Sequence, residues 1–169
     1  MQAGKERPYE EAPRAPLVIR GPGVQAGSTT EKLVLNTDYS PTFTDLAGAQ
    51  TPSYVDGRSL RPVLEGSATN WRTAILLEGS VEIRSLLSRE HRKFYGIRTS
   101  TAKYAEYEGG FRELYDLAPG ADPYELNNIY YKAASNVAPR PALKARLDAL
   151  ESCARADASA TSCKTAEGG

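Results

Sequence analysis

Few residues in this 169-residue chain have the types and spacing that chemistry needs. The chain has one histidine, His91, and two cysteines, so a zinc site built from histidine and cysteine has too few ligands. His91 lies in a charged run, where a solvated residue is the simpler interpretation. No Gly-x-Ser-x-Gly turn is present to display a serine nucleophile. The sequence therefore assigns no self-contained hydrolytic triad and no metal site.

Two further patterns could bind ions, and both are weak. Gly21-Pro22-Gly23 resembles a phosphate loop only in part, because proline removes one of the backbone donors that such a loop needs. The spacing of Asp38, Asp45 and Asp56 matches no EF-hand loop. Turn and capping roles suit these aspartates better than calcium binding.

The cysteines, Cys153 and Cys163, lie ten positions apart and form no Cys-x-x-Cys redox motif. A disulfide between them would tie the tail to the preceding helix, with a stabilisation of about 3 kcal/mol in the chain-entropy model. It would also indicate an oxidising compartment. The alternative is two unpaired thiols in a disordered tail.

The composition limits the partners of the chain. Lysine and arginine total 21 and aspartate and glutamate total 21, so the net charge is zero, which argues against nucleic-acid binding. No apolar run approaches the roughly 20 residues that span a bilayer. A soluble folded domain remains.

The hydrophobic pattern predicts short elements with long connections. The continuous apolar runs Leu17–Arg20 and Ala74–Glu78 are typical of buried strands. Ser40–Gly48 has the cap residues of a short helix, and a second helical fragment covers Leu60–Leu64. Three antiparallel strands follow, at Phe94–Thr99, Lys103–Tyr107 and Phe111–Leu117, and we expect their sheet to bury one face and leave the other wet.

A final helix is predicted from Pro141 to about Cys153, because leucines at 143, 147 and 150 form one apolar stripe. The tail from Ala154 onward is rich in small polar residues and is expected to fray. If the two buried-strand runs lack neighbours, the chain should be marginally stable or should associate.

Six short motifs follow one another between about residues 4 and 128. They are Gly4-Lys5-x-x-x-Tyr9-Glu10 continued by Arg14-Ala15-Pro16 and the strand run to Gly23, Asn36-Thr37-Asp38-Tyr39-Ser40-Pro41-Thr42 with Asp45-Leu46-Ala47-Gly48, Asp56-Gly57-Arg58-Ser59-Leu60, Arg98-Thr99 with Lys103-Tyr104, Glu113-Leu114-Tyr115-Asp116-Leu117, and Asp122-Pro123-x-Glu125-x-x-Asn128. Their order resembles that of the sulfatases, formylglycine-dependent enzymes of the alkaline-phosphatase-like superfamily. The cysteine pair after the last helix is similar to that of the glucosamine-6-sulfatase-like branch.

The resemblance implies a role for a few residues. In sulfatases the lysine at the position of Lys5 contacts sulfate oxygens, where an ammonium offsets charge that develops in the transition state. Arg98 and Lys103 are assigned to the wall of the substrate pocket. The family also uses calcium and a formylglycine made from Cys-x-Pro/Ala-x-Arg. Cys153-Ala154-Arg155 does not match that motif, because its arginine is at the wrong offset.

The resemblance therefore predicts the C-terminal portion of a sulfatase, catalytically incomplete by itself and with no cofactor of its own. The implied fold is the C-terminal α/β edge of a sulfatase core over residues 1–80. A small α+β subdomain with an antiparallel sheet and a C-terminal helix would follow over 81–153, and a flexible tail over 154–169.

The predicted partners are a missing N-terminal sulfatase region or a second copy, together with a sulfated small molecule or sugar. The predicted location is extracellular or periplasmic, although the chain shows no signal peptide. An alternative function is a non-catalytic module that binds a carbohydrate or protein on a tyrosine-rich sheet. Its stacking residues would be Tyr95, Tyr104, Tyr107 and Tyr115.

Overall fold

A computed structural model describes residues 7–84, 89–132, 140–155 and 160–168 of the chain. Within these ranges, a short 3-10 helix at Asn36–Asp38 precedes four α-helices and four strands. In chain order they are α1 (Tyr39–Leu46), α2 (Arg61–Leu64), β1 (Ala74–Arg84), β2 (Arg89–Thr99), β3 (Ala102–Tyr107), β4 (Arg112–Asp116), α3 (Arg140–Arg155) and α4 (Ala160–Glu167). Every helix in the described ranges is too short or too polar to cross a membrane.

The chain divides into two compact units. The sheet unit comprises the described residues up to 16 and residues 74–151, and the helical unit comprises residues 17–73 and those from 152 onward. The predicted division of the chain at residues 80 and 153 stays a prediction. Strand β1 crosses residue 80.

The sheet unit contains an antiparallel meander in the order β1-β2-β3-β4. Its β2–β3 register pairs Arg98 with Lys103, and β3–β4 pairs Lys103 with Tyr115, so these three side chains share one face of the sheet. Val81, Phe94, Ala105 and Tyr107 form a buried hydrophobic cluster. Their register positions place this cluster on that same face, which we call the lysine face.

The three predicted strands exist close to their predicted positions, but the sheet is more extensive. The run Ala74–Glu78 pairs antiparallel with β2 as part of the longer β1, and β2 begins at Arg89, so exposed His91 lies within a strand. The polar residues at the start of β2 adopt strand conformation because β1 provides hydrogen-bond partners for their backbone N–H and C=O groups.

The expectation of one wet face is wrong at the centre of the sheet. Consecutive residues point to opposite faces of a strand, yet Lys103 and Tyr104 are both buried, as are Glu113 and Leu114. The pattern had suggested one solvated face because neither face is purely apolar. Polar residues on the lysine face can be buried because they have partners there, carboxylates for Lys103 and tyrosine hydroxyls for Glu113.

The interpretation of Leu17–Arg20 as a buried strand is also wrong for this structure. These residues form no strand, and Val18 is 92% exposed. A buried parallel strand needs hydrogen-bonding neighbours on both sides, and the sheet present is an antiparallel meander built from residues 74 to 116.

The helical unit is organised around the buried carboxylate of Asp38. Both of its oxygens pair with the guanidinium of Arg72, whose Nη2 lies 2.8 Å from Oδ1, and both side chains are fully buried. The backbone N–H groups of Leu35 and Arg58 also donate to this carboxylate, each at 2.8 Å. Asp38 is thus a structural anion, since its oxygens are occupied by protein donors. The contact with the Leu35 N–H is a capping contact of the predicted kind, whereas the buried pair with Arg72 was not predicted.

The predicted helices in this unit are present, and two further contacts join α1 to the turn before α2. Thr42 Oγ1 accepts the N–H of Leu60 at 2.8 Å, and the hydroxyl of Ser59 donates to Asp45 at 2.6 Å. The two sulfatase-like motifs of this unit therefore bind each other. Their residue types are explained by this packing.

The C-terminal segment differs from the fraying tail that was expected. A disulfide joins Cys153 in α3 to Cys163 in α4, with Cα atoms 5.1 Å apart. Glu167 in α4 accepts from Nε of Arg72 at 2.9 Å and pairs with Arg58 at 3.0 Å. The covalent link and these ion pairs give the tail the tertiary contacts that its sequence composition does not reveal.

Gly57 provides a test of this packing, because a Cβ at that position would lie 2.1 Å from the backbone oxygen of Thr37. We expect Gly57→Ala to lower the free energy of unfolding by about 3 kcal/mol, since backbone must move to relieve the overlap. Urea unfolding followed by fluorescence of Trp71, which is 6% exposed, measures the change. Gly21→Ala is the control, because nothing lies within 4 Å of its added methyl group. Equal stabilities of the two variants would contradict this account.

Candidate functional site

The predicted site residues fall in three places. Lys5 lies outside the described residues. Arg98 and Lys103 are adjacent across strands β2 and β3. Cys153 and Cys163 are joined covalently.

A short segment of chain near the N-terminus covers the lysine face of the sheet. Residues 7–14, which we call the docked segment, contain a turn in which Ala12 N–H donates to the Tyr9 carbonyl at 2.8 Å. Pro8 is fully buried beneath it. Tyr9 and Glu10 then make the segment's specific polar contacts with groups 88 to 115 positions further along the chain.

Glu10 neutralises two cations of the sheet. Its Oε1 lies 2.8 Å from Nζ of Lys103 and 3.0 Å from Nε of Arg98. Burial alone would raise the pKa of Glu10, but the hydrogen bonds from Arg98 and Lys103 outweigh it and hold the pKa below its ordinary value. Glu10 is therefore a carboxylate at neutral pH.

The second anion beside Lys103 is Glu125. Its Oε1 lies 2.6 Å from Nζ of Lys103, and both side chains are 1% exposed. Its Oε2 also accepts the backbone N–H of Glu10 at 2.6 Å. Burial raises the pKa of Glu125 above its ordinary value, and the hydrogen bond from Lys103 only partly offsets this.

The loop after β4 holds Glu125 in place. Glu125 has φ of 53°, a left-handed conformation that costs a non-glycine residue about 1–2 kcal/mol. The carboxylate of Asp122 accepts the N–H groups of residues 126 and 127, which forms the turn. Asn128 accepts the Leu114 N–H at 3.1 Å and so fixes the loop to the edge of β4. The Asp-Pro-x-Glu-x-x-Asn motif thus delivers a carboxylate to Lys103.

Tyr9 reaches a third carboxylate, that of buried Glu113. Glu113 is 4% exposed and accepts hydroxyl hydrogen bonds from Tyr9 at 2.9 Å, Tyr107 at 2.6 Å and Tyr115 at 3.1 Å. Burial, together with the charge of Glu113 and its hydrogen bonds, raises the pKa of each tyrosine. All three hydroxyls therefore remain protonated donors at neutral pH.

This arrangement bears on the tyrosine-rich binding surface that the sequence offered as an alternative. Tyr104, Tyr107 and Tyr115 are 2%, 8% and 4% exposed, and Tyr95 is half-buried. Tyr104 stacks on Tyr130, with ring centroids 5.8 Å apart. These rings are used for internal packing and do not form an open stacking platform.

Sequence reasoning missed the carboxylates that organise this site. Glu10 and Glu125 stood within the sulfatase-like motifs, and strand alternation placed Glu113 beside Tyr115. Their pairing with Arg98 and Lys103 could not be read from the sequence, because the partners are brought together only by the fold. Substrate binding by Arg98 and Lys103 stays a prediction.

Metal binding requires several carboxylate, histidine or cysteine groups around one point. Across the parts of the chain that the structure describes, no three such side chains come together in a way that could hold a metal ion. The described residues therefore do not fit the calcium that sulfatases use, and no step is assigned to calcium here.

Solved sulfatase structures share this fold. BT4656, solved in complex with its substrate D-glucosamine-2-N,6-O-disulfate, superposes with a TM-score of 0.63 at 32% identity and covers 78% of this chain and 26% of its own. The mixed architecture of a four-stranded antiparallel sheet with helices matches these sulfatases, which confirms the predicted fold class.

Curated sulfatases are similar in sequence. The N-acetylglucosamine-6-O-sulfatase of Bacteroides thetaiotaomicron is 40% identical over 131 residues, which are 74% of this chain and 23% of the relative. The N-acetylglucosamine-6-sulfatase of Bos taurus is 29% identical over 180 residues, 88% of this chain and 31% of the relative. The chain spans about a quarter to a third of the length of these relatives.

The class defined by the fold and by these relatives is the C-terminal region of a sulfatase. More particularly, a family model described as N-sulphoglucosamine sulphohydrolase, C-terminal, matches residues 4–152, and the chain belongs to that family. The resemblance noted in the order of the motifs is confirmed.

Lys103→Met tests the charge balance of the site. We expect a loss of about 3 kcal/mol of stability at pH 7, because Glu10 and Glu125 would face each other without their shared cation. Lys103→Met also removes the hydrogen bond that partly offsets the burial of Glu125, so the pKa of Glu125 should lie still higher in the variant than in the native chain. A protonated Glu125 no longer repels Glu10, so the loss should shrink as the pH falls from about 7 to about 4.5.

Unfolding followed by circular dichroism measures this effect at both pH values. Lys144→Met is the matched control, because Lys144 is 41% exposed and forms an i,i+4 pair with Asp148 that is worth at most about 0.5 kcal/mol. A Lys103→Met variant as stable as this control would show that the buried ion pairs contribute nothing.

Proposed function

We propose that this chain is the C-terminal part of a sulfatase that releases sulfate from sulfated glucosamine units. The observation that carries the proposal is the 40% identity to an N-acetylglucosamine-6-O-sulfatase over 74% of the chain. The substrate held in the BT4656 structure, a sulfated glucosamine, supports the same substrate class.

Lys5 is the residue of this chain that we assign to the reaction. Its ammonium would contact sulfate oxygens and offset the charge that develops on the sulfuryl group and the leaving oxygen. The assignment rests on the Gly4-Lys5-x-x-x-Tyr9-Glu10 motif and on the family match, which begins at residue 4.

The nucleophile and the calcium ligands are assigned to the rest of the sulfatase. The sequence has no Cys-x-Pro/Ala-x-Arg motif from which formylglycine could be made. The proposal is therefore that this chain contributes part of the sulfate site and that the N-terminal sulfatase region contributes the rest.

Exposed apolar residues support an N-terminal sulfatase region as the partner. Tyr39, Phe43 and Leu46 lie on one face of α1, spaced i, i+4 and i+7, and are 39%, 70% and 56% exposed. Large exposed apolar side chains in a row commonly mark a protein interface. Association of two copies through this face is the competing outcome.

The disulfide fits a location outside the cytoplasm. We propose an extracellular or periplasmic sulfatase.

A chimaera tests the function directly. This chain would replace the matching C-terminal quarter of the Bacteroides thetaiotaomicron N-acetylglucosamine-6-O-sulfatase, and sulfate release from N-acetylglucosamine 6-sulfate would be measured. We expect the chimaera to turn over and the isolated chain to show no turnover of 4-nitrocatechol sulfate. A chimaera that folds and incorporates formylglycine but releases no sulfate would contradict the proposal.

Within that chimaera, Lys5→Ala should lower kcat by about 100-fold, because a preorganised charge at the transition state is lost. Lys32→Ala is the control, since Lys32 is an exposed lysine of the helical unit. An unchanged kcat in Lys5→Ala would remove Lys5 from the sulfate site.

A further inference from the structure

The docked segment is held more specifically than its burial alone would require. Three consecutive residues use different means: Pro8 is buried, Tyr9 donates to Glu113 at 2.9 Å, and Glu10 contacts Lys103 and Arg98 at 2.8 and 3.0 Å. Apolar packing tolerates sliding, whereas hydrogen bonds and ion pairs fix distances and directions. The segment is therefore held in one register on the sheet.

The charges show why this register is the stable one. Lys103 is 1% exposed, so its ammonium has lost nearly all contact with water and requires anions nearby. Glu125 supplies one anion from the loop after β4, and Glu10 supplies another from the docked segment. Removing Glu10 would leave Lys103 with the carboxylate of Glu125 alone and would take from Arg98 the carboxylate that it contacts.

The backbone adds a further constraint at the same residue. The N–H of Glu10 donates to Oε2 of Glu125 at 2.6 Å, and its carbonyl accepts the N–H of Arg14 at 3.0 Å. Both the main chain and the side chain of Glu10 are thus fixed. Glu11, the next residue, is exposed.

Chain length connects this anchor to Lys5. Lys5 precedes Tyr9 by four residues, and an extended chain spans at most about 3.6 Å per residue, so their Cα atoms can be no more than about 14 Å apart. An anchored Tyr9 and Glu10 therefore limit the volume that the Lys5 ammonium can explore. A catalytic group misplaced by about 1 Å can lose about 100-fold in rate.

We propose that Glu10, Arg98 and Lys103 are positioning residues of the sulfatase, which act on Lys5 by anchoring the docked segment that follows it in the chain. The inference rests on the proposed function, in which Lys5 contacts sulfate. It assigns Arg98 and Lys103 to the support of a catalytic segment, through their ion pairs with Glu10.

Hydrogen exchange of the 169-residue chain tests the anchoring by itself. In Glu10→Gln, the hydrogen-bonded amides of residues 10, 12 and 14 should exchange faster, and their acceleration should exceed that of the β3 and β4 amides by at least about tenfold. Glu11→Gln is the matched control and should leave all of these rates unchanged. Unchanged exchange in Glu10→Gln would overturn the anchor.

Kinetics of the chimaera test the action through Lys5. Glu10→Gln should lower kcat by at least about tenfold with KM changed less than about threefold, because the contact with Lys5 matters most in the transition state. In the Lys5→Ala background the same Glu10→Gln change should alter kcat by less than about twofold. The two effects are then non-additive, as expected for residues that act as one unit.

The outcomes separate the two proposals. If Lys5→Ala lowers kcat but Glu10→Gln does not, or if Glu10→Gln lowers kcat equally in both backgrounds, the positioning role is wrong and the sulfatase assignment stands. If the chimaera is inactive or Lys5→Ala has no effect, the proposed role of Lys5 fails and the positioning role fails with it. Hydrogen exchange then still reports whether Glu10 anchors the segment.

Discussion

The buried ammonium of Lys103 is the constraint on which the sheet unit depends. A cation that is 1% exposed must be neutralised, and the two carboxylates that do so come from parts of the chain 115 residues apart, Glu10 and Glu125. One anchors the docked segment, and the other requires a left-handed backbone and a loop fixed by Asp122 and Asn128. The two irregular segments of this unit, the docked segment and the loop after β4, therefore each place a carboxylate beside Lys103. The polar residues of the sulfatase-like motifs have their clearest explanation here, as groups that fix loops.

The helical unit applies the same principle with the charges reversed. There the fully buried group is an anion, Asp38, and the chain brings the guanidinium of Arg72 and two backbone N–H groups to it. Glu167 in turn pairs with Arg72 and draws in the C-terminal helix, which the disulfide already holds near. Breaking such a pair from one side leaves an uncompensated buried charge, which costs about 3–5 kcal/mol. The buried ion pairs can thus hold the short helices of this unit in one arrangement although its apolar core is small, provided that every buried charge keeps its partner.

The sequence predicted local structure well and long-range pairing poorly. Helices at Ser40–Gly48 and Pro141–Cys153 and the strands of the meander follow from caps, apolar spacing and alternation, all of which are local signals. The prediction of a buried strand at Leu17–Arg20 was wrong, because a strand needs hydrogen-bonded neighbours and a local pattern does not show whether they exist. Glu10 could be noticed only as part of a motif, because its partners Arg98 and Lys103 become neighbours through β2–β3 pairing and the docking of a segment 88 residues away. Membership of the sulfatase family could be predicted from the sequence because it follows from the order of the motifs. The structural role of each motif did not need to be known.

The central claim is that Glu10 and Lys103 stabilise the fold through each other. A double-mutant cycle measures this most directly, from the free energies of unfolding of the native chain, Glu10→Gln, Lys103→Met and the double variant. We expect a coupling energy of at least about 1 kcal/mol, since the two atoms are 2.8 Å apart and Lys103 is buried. Single-variant effects that add to within about 0.3–0.5 kcal/mol would contradict the account.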